Sequence, residues 1–309
     1  MRCRHHLRTK PLGLGGETLT TTKIPRFCIS HKEPLLPGSW YDYCISLGDY
    51  QSDSPYHVSQ LNKYWHDARP IAYGAAGSYV LRIAFERSAN SAELIEISTY
   101  RKRILSCPEG VESQSHPTMR ELSFGEARMK HEVSICAPAA GLQFLIAQPL
   151  YFETSIIEQY ASCHPRRDIL DYTSIAIELG VLDKESAEQF LTAKSMVPGA
   201  GDLGIYPRPY LVRSLEIIET VGREYLERHG GRVRKYDAYQ VRSVGYLHER
   251  LGSFLLLRHL TEIYPGGIPA EIFGHMTAIV EDGTIYARGT ADTQRRWSNL
   301  LRLKGSRPR

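Results

Sequence analysis

The chain has 309 residues, of which 42% are apolar and 23% charged, with a net charge of +4 at neutral pH. That is ordinary for a soluble globular protein and long enough for one large domain or two small ones. No apolar run reaches the ~18 residues needed to span a bilayer. Cys3, Cys28, Cys44, Cys107, Cys136 and Cys163 are widely spaced, with no CxxC or Cys/His cluster to mark a zinc site, so buried free thiols in a reducing cytoplasm are the expectation. The N-terminal stretch is basic but has no apolar centre, so it does not read as a secretory signal.

Charge is unevenly spread. Arg2, Arg4, Arg8 and Lys10 precede the first acid, Glu17, and Thr293 to Arg309 holds Arg295, Arg296, Arg302, Lys304, Arg307 and Arg309 with no acid. The body between them is therefore net negative, which argues against a broad nucleic-acid footprint. Trp297, Leu300, Leu301 and Leu303 interleave the last cations, which suits either a weak anchor on an anionic membrane surface or a solvated tail. The expected organisation is a basic disordered leader over 1–22, a single domain over 23–290 and a basic tail over 291–309. The expected location is cytoplasmic, with peripheral contact to the inner membrane face left open.

In chain order, the first strand signal is Ile24 to Ser30, closed by the polar His31-Lys32-Glu33-Pro34. A buried strand ending in a polar loop is where α/β proteins place ligands. Tyr43 to Leu47 is a second strand, Leu61 to His66 a helical turn, and Ala72 to Arg87 a helix. Leu94 to Ser98 is the next strand and runs into Tyr100-Arg101-Lys102-Arg103. Three consecutive cations then stand at the sheet's carboxyl edge, the competing reading being a solvated loop. Residues 106–140 have weak periodicity and read as a long irregular excursion. Gln143 to Pro149 contains a strand, and Ser155 to Tyr160 is a short helix. A further helix starts at His164-Pro165 and stops at Gly180; Asp168 in its first turn complements the dipole. Lys184 to Ala193 is helical as well.

Pro198 to Tyr206, PGAGDLGIY, is a glycine-rich turn entering a strand. It lets backbone N–H groups approach a ligand but fits neither GxGxxG nor a P-loop. Asp202 within it is a ligand contact or a turn former. Arg208 to Arg228 is a long amphipathic helix that breaks at His229-Gly230-Gly231. The longest helical pattern follows, Tyr236 to Leu260. At about 100° per residue, Tyr239, Arg242, Tyr246, Glu249 and Ser253 share one stripe, and Val241, Val244, Leu251 and Leu255 another. Gly245 in mid-helix costs roughly 1 kcal/mol against Ala, which points to a close backbone approach there. Arg242 and Glu249 either face a ligand or form a structural ion pair. Ile263 to Thr290 reads as an edge strand and a hairpin across Glu281-Asp282-Gly283.

Four of these segments carry a resemblance: ISHK (Ile29 to Lys32), TYRKR (Thr99 to Arg103), QYASCH (Gln159 to His164) and RSVGYLHERL (Arg242 to Leu251). In order and content they resemble the bacterial family catalogued as domain of unknown function 4422, over roughly residues 24–262. Where that family's second motif usually reads His-Tyr-Arg-Arg, this chain has Thr99-Tyr100-Arg101-Lys102. The family is placed among GT-A-type glycosyltransferases and occurs in capsular and exopolysaccharide gene clusters. The resemblance implies an α/β, GT-A-like (Rossmann-like) mixed sheet flanked by helices, with a mostly helical C-terminal half. It also implies a nucleotide-sugar donor and a glycan or lipid-linked acceptor.

The chemistry of such a transfer turns on the departing diphosphate and on the acceptor's proton. No Asp-x-Asp occurs in the chain to hold Mg²⁺ or Mn²⁺. The expectation is that Arg101, Lys102 and Arg103 stabilise the diphosphate directly, with no metal ligands assigned and a divalent ion left open. His31, Lys32, Tyr100, Tyr160, His164, Arg242 and Tyr246 complete the candidate donor-binding set. Glu249, then Asp202 and Asp237, are the candidate catalytic carboxylates, with Asp168 behind them. A non-catalytic scaffold subunit of a polysaccharide assembly complex is the alternative, favoured by Thr99 in place of the family's His. A nucleic-acid-associated protein is disfavoured by the acidic body.

Overall fold

The computed structural model describes residues 24–114, 116–130 and 136–282. The leader over 1–22, the tail over 291–309 and the second arm of the hairpin expected after Asp282 lie outside them. The chain opens with β1 (Arg26–Ser30), β2 (Tyr43–Ser46) and β3 (Tyr56–His57). Helices α1 (Val58–Leu61), α2 (Lys63–Ala72) and α3 (Ala75–Ser88) follow, then β4 (Leu94–Thr99), β5 (Lys102–Leu105), β6 (Val111–Glu112) and β7 (Met119–Ser123). After α4 (Phe124–Arg128) come β8 (Ile146–Ala147), β9 (Leu150–Tyr151), α5 (Ile156–Ala161), α6 (Arg166–Glu178) and α7 (Lys184–Thr192). The last elements are β10 (Ser195–Met196), β11 (Gly204–Pro207), α8 (Arg208–Val233), α9 (Ser243–Ile263) and β12 (Phe273–Val280).

The sheet runs in the order β3-β2-β1-β4-β5-β12-β7-β6, with β11 on β4 and β8 on β12. β1 to β4 are parallel, and β5 and β11 run antiparallel to β4. β1 is buried throughout, and its side chains alternate between faces. Phe27 and Ile29 enter the main core beneath the helices. Cys28 enters a smaller core with Leu36 and Trp40 on the opposite face. The architecture is thus a central mixed sheet flanked by helices, as expected, with a mostly helical C-terminal half.

Small residues set the layer spacing. A Cβ at Gly77 of α3 would lie 2.5 Å from Ile29 Cγ2, so α3 packs directly on β1. The expected close approach at Gly245 is absent: nothing lies within 4 Å of a Cβ there. Gly252, two turns on, has that role, since its Cβ would stand 2.9 Å from the Ala200 carbonyl oxygen.

Several expectations are corrected. Residues 106–140 are not one irregular excursion; they include β6, β7 and α4, the last opened by a Ser123/Glu126 capping box. β12 is no edge strand but lies between β5 and β7. The long helix does not break at Gly230-Gly231. Val233 beyond them is buried, and Arg232 holds Asp168 and Asp171 at 2.7 Å each. Burying a valine is worth about 1.5–3 kcal/mol, enough with those ion pairs to offset roughly 1 kcal/mol per glycine. The helical pattern from Tyr236 becomes α-helix only at Ser243, after a 3₁₀ turn over Gln240–Arg242.

Candidate functional site

Because β1, β2 and β4 are parallel, their carboxyl ends share one edge. His31 follows β1, Gly48 lies just past β2, and Tyr100 follows β4. β11 enters antiparallel with Gly204 opposite Ile97, which brings the glycine-rich turn to the same edge.

The four motif segments meet in two pairs. ISHK meets TYRKR: the Tyr100 N–H donates to the Ile29 carbonyl at 3.0 Å, and the His31 and Tyr100 rings stand 5.1 Å apart, edge to face. QYASCH meets RSVGYLHERL: Arg250 donates to Gln159 Oε1 at 2.7 Å, and its guanidinium lies 4.9 Å from the Tyr160 ring. His164 stacks on Tyr246 at 4.3 Å and on Tyr239 at 5.4 Å, and its Nδ1 lies 2.9 Å from Gln240 Oε1. Tyr160 is fully buried and His164 nearly so, and their rings stand 4.7 Å apart.

The cation triplet does not act as a unit. A two-residue turn, Tyr100-Arg101, joins Thr99 to Lys102, and alternation then separates the next two side chains. Lys102 shares the face of Ile104, toward the helices; Arg103 shares that of Leu105, toward Trp40. There Arg103 is buried in a two-pronged ion pair with Glu96, its Nη2 2.7 Å from Oε2. Arg103 therefore does not join the edge. Arg101 lies over Tyr100 at 5.3 Å, within electrostatic reach of Glu121. Burial holds the Lys102 ammonium below the usual lysine range, with Glu249 opposing that shift and Arg101 adding to it.

Glu249 ties the glycine-rich turn to α9. Its Oε1 accepts the Gly199 N–H at 2.8 Å, and no ion pair joins it to Arg242. The structural ion-pair reading of those two residues is thus set aside. Further N–H groups of the turn are satisfied as well: Gly201 donates to the Tyr206 hydroxyl at 3.2 Å, and Asp202 and Leu203 each donate to the Gly199 carbonyl at 2.8 Å, while Val197 just before the turn donates to Ser253 Oγ on α9 at 2.7 Å. The turn is therefore a rigid ledge pinned to α9, not an open N–H cradle. Gly199 and Gly201 have φ of +69° and +85°, a region costly for any residue with a Cβ.

Asp202 on this ledge has Oδ1 3.3 Å from Nε2 of His248, a residue with no solvent exposure. Asp237 does something different, since its Oδ1 caps the 3₁₀ turn by accepting the N–H groups of Tyr239 and Gln240 at 2.8 and 2.7 Å. Asp168 is buried under Arg232 and the Tyr236 hydroxyl. Sequence reasoning missed Arg69 and Tyr73, at the end of α2. The Arg69 guanidinium lies 5.8 Å and that of Arg242 4.8 Å from the Tyr73 ring.

By fold the chain is similar to the WbbM bifunctional glycosyltransferase in its apo structure, with a TM-score of 0.58 and 11% identity over 83% of this chain and 45% of that one. The fold is one that a glycosyltransferase also uses. At 11% identity the likeness speaks for fold alone, and this chain spans less than half of that protein's length. No family model matches the chain, and no curated protein matches it by sequence. Among the described residues, no three His, Cys, Asp or Glu gather as metal ligands, and no helix is long and apolar enough to cross a membrane.

One titration can be read from the wall of the site. Burial, with help from the Arg250 charge and against the Gln240 hydrogen bond, pulls the His164 pKa down to about 4. The unfolded chain takes up that proton near pH 6.5. The stabilisation from keeping His164 neutral is therefore complete above pH 6.5 and is lost as pH falls toward 4. At pH 5 the loss is about 2 kcal/mol. His164→Gln should narrow the drop in melting temperature between pH 7 and pH 5 by roughly 5 °C. An unchanged drop would remove His164 as its source.

Proposed function

We propose that this chain is a glycosyltransferase that moves a sugar from a nucleotide-sugar donor to a glycan or lipid-linked acceptor, of the kind the resemblance to the domain of unknown function 4422 family implies. One observation carries the reading: a cation, Lys102, opposite Thr99 at the end of β4, and a carboxylate, Glu249, bonded to the glycine-rich turn, come within electrostatic reach of each other at the carboxyl edge of a sheet in a fold that a glycosyltransferase shares. Open α/β sheets bind ligands at that edge. Lys102 and Arg101 there stabilise charge developing on the leaving diphosphate, from a partly desolvated position that strengthens the interaction. Glu249 takes the proton of the attacking hydroxyl, and the Gly199 N–H holds its second oxygen still. Asp202, backed by His248, is the other carboxylate within the ledge.

The donor set at the edge does not suit a divalent ion. Mg²⁺ and Mn²⁺ take clustered oxygen ligands, whereas here one Glu249 oxygen accepts the Gly199 N–H and, among the described residues, no three His, Cys, Asp or Glu gather. The reading places the protein in the cytoplasm, where the free thiols of Cys28, Cys44 and Cys107 fit a reducing milieu.

A thermal-shift screen of UDP-, GDP-, CMP- and dTDP-sugars, with Mn²⁺ and with EDTA, tests the proposal. One donor class is expected to raise the melting temperature in EDTA; silence across the panel would count against donor binding. Donor turnover then separates an enzyme from the scaffold reading that Thr99 favours, since a scaffold would bind a donor and never consume it.

A further inference from the structure

Two tyrosines at the sheet edge each carry two cations. Tyr100 has Lys32 Nζ at 4.9 Å and Arg101 at 5.3 Å; Tyr73 has Arg69 at 5.8 Å and Arg242 at 4.8 Å. His31 lies between the sets. Its ring meets Tyr100, and burial followed by the charges of Arg69, Lys32 and Arg242 depresses its pKa.

Several charged side chains elsewhere in this fold are paired: Arg26 with Asp42, Arg103 with Glu96, Arg228 with Glu178 and Glu224, Arg232 with Asp168 and Asp171. Lys32, Arg69 and Arg242 have no carboxylate partner among the described residues. Arg69 Nε is buried with no hydrogen-bond partner. The space around Arg69 is shaped to hold it. A Cβ at Gly48 would lie 3.1 Å from its Cζ, and φ of +67° at Gly48 also favours glycine. Tyr73 is the only non-glycine with positive φ among the described residues, at φ 48° and ψ −126°. Such backbone costs of order 1–3 kcal/mol and persists where its surroundings over-determine it, as at ligand clamps. Like charges gathered without a carboxylate repel, and a bound anion relieves that repulsion.

We propose that Arg69 and Arg242 on Tyr73, with Lys32 and His31 across from them, form a seat for a diphosphate anion that binds without a divalent metal. Two guanidiniums offer planar forks that match phosphate oxygens two at a time, and the tyrosine ring pre-orients both. The identification of the diphosphate with a sugar donor rests on the proposed transfer activity; the seat itself does not. A nucleoside diphosphate and an isoprenyl diphosphate of a lipid-linked acceptor share this chemistry.

The test is titration calorimetry of the full chain with sodium pyrophosphate in EDTA, with UDP, GDP and dTDP as one further arm and farnesyl diphosphate in detergent as the other. Pyrophosphate is expected to bind, and the tighter arm names the source. Arg69→Gln and Arg242→Gln should each weaken binding about 10- to 100-fold, and Arg69→Lys less than Arg69→Gln. Arg228→Gln, on a remote surface, should leave binding within about twofold, with the same fold-change conversion. If a glutamine variant fails to fold, Arg69→Lys and the wild-type dependence on NaCl carry the test, because a charge-built seat weakens steeply with salt. Binding that needs Mg²⁺ or Mn²⁺, or that is equal in wild type and folded Arg69 variants, would overturn the proposal. Pyrophosphate binding with no response to any nucleotide-sugar would instead retain the seat and reject the sugar-transfer reading.

Discussion

Replacing Glu249 by Gln is expected to slow the proposed sugar transfer by about 10²- to 10⁴-fold while moving the melting temperature by no more than about 2 °C. The separation follows from what Glu249 touches. Its Oε1 accepts the Gly199 N–H at 2.8 Å, and a glutamine oxygen accepts the same bond. What is lost is the negative charge within electrostatic reach of Lys102 and the capacity to take a proton. Glu249→Ala should differ: it leaves the Gly199 N–H without its partner, at about 1–3 kcal/mol, and loosens the ledge as well as the chemistry. Asp202→Asn distinguishes the second carboxylate, since Asp202 lies 3.3 Å from the buried ring of His248. Steady-state kinetics beside a thermal melt decide the matter. A Glu249→Gln enzyme with full kcat would move the general base to Asp202, and one that unfolds would make Glu249 a structural anchor.

How much of this was legible before the fold depends on which forces act locally. β1 could be read because Phe27-Cys28-Ile29 at its centre is an unbroken apolar run, as a strand buried on both faces requires. α6 and α7 could be read because Gly180 and Asp183 punctuate them, the latter accepting the Ser186 N–H at 2.7 Å. The stripe from Arg242 through Tyr246 to Glu249 was legible too, since helical periodicity puts those residues on one side. What the chain does not encode locally is the partner of each group. The turn at Tyr100-Arg101 lacks the Asn-Gly or Asp-Gly that marks a tight hairpin. Lys102 and Arg103 therefore read as neighbours, although the pleat sends them to opposite faces. β12 read as an edge because Gly274, His275 and Thr277 dilute its apolar run; pairing with β5 and β7, both distant in sequence, places it inside. Arg69 and Tyr73 were invisible for the same reason. Their meaning comes from Arg242, far along the chain, and nothing within α2 announces it.

Arg103→Met should lower the melting temperature by roughly 10 °C, from about 3–5 kcal/mol lost when one partner of a buried ion pair is removed. Arg103 has no solvent exposure, and Glu96 across from it has almost none. Without the guanidinium, the Cys136 thiol 3.4 Å from Glu96 is far too weak a donor to compensate a buried charge. The double variant Glu96→Leu/Arg103→Met should recover most of that loss, because two apolar side chains of similar volume cost no desolvation. It also decides a question of function. The sequence places Arg103 with Arg101 and Lys102 as a donor-binding cation, whereas the pleat sends it to the Trp40 face and hands the anion to the edge. A folded double variant should therefore bind pyrophosphate as tightly as the wild type. If it folds and binding falls tenfold or more, Arg103 reaches the ligand after all, and the division of labour between the two faces of β5 has to be redrawn.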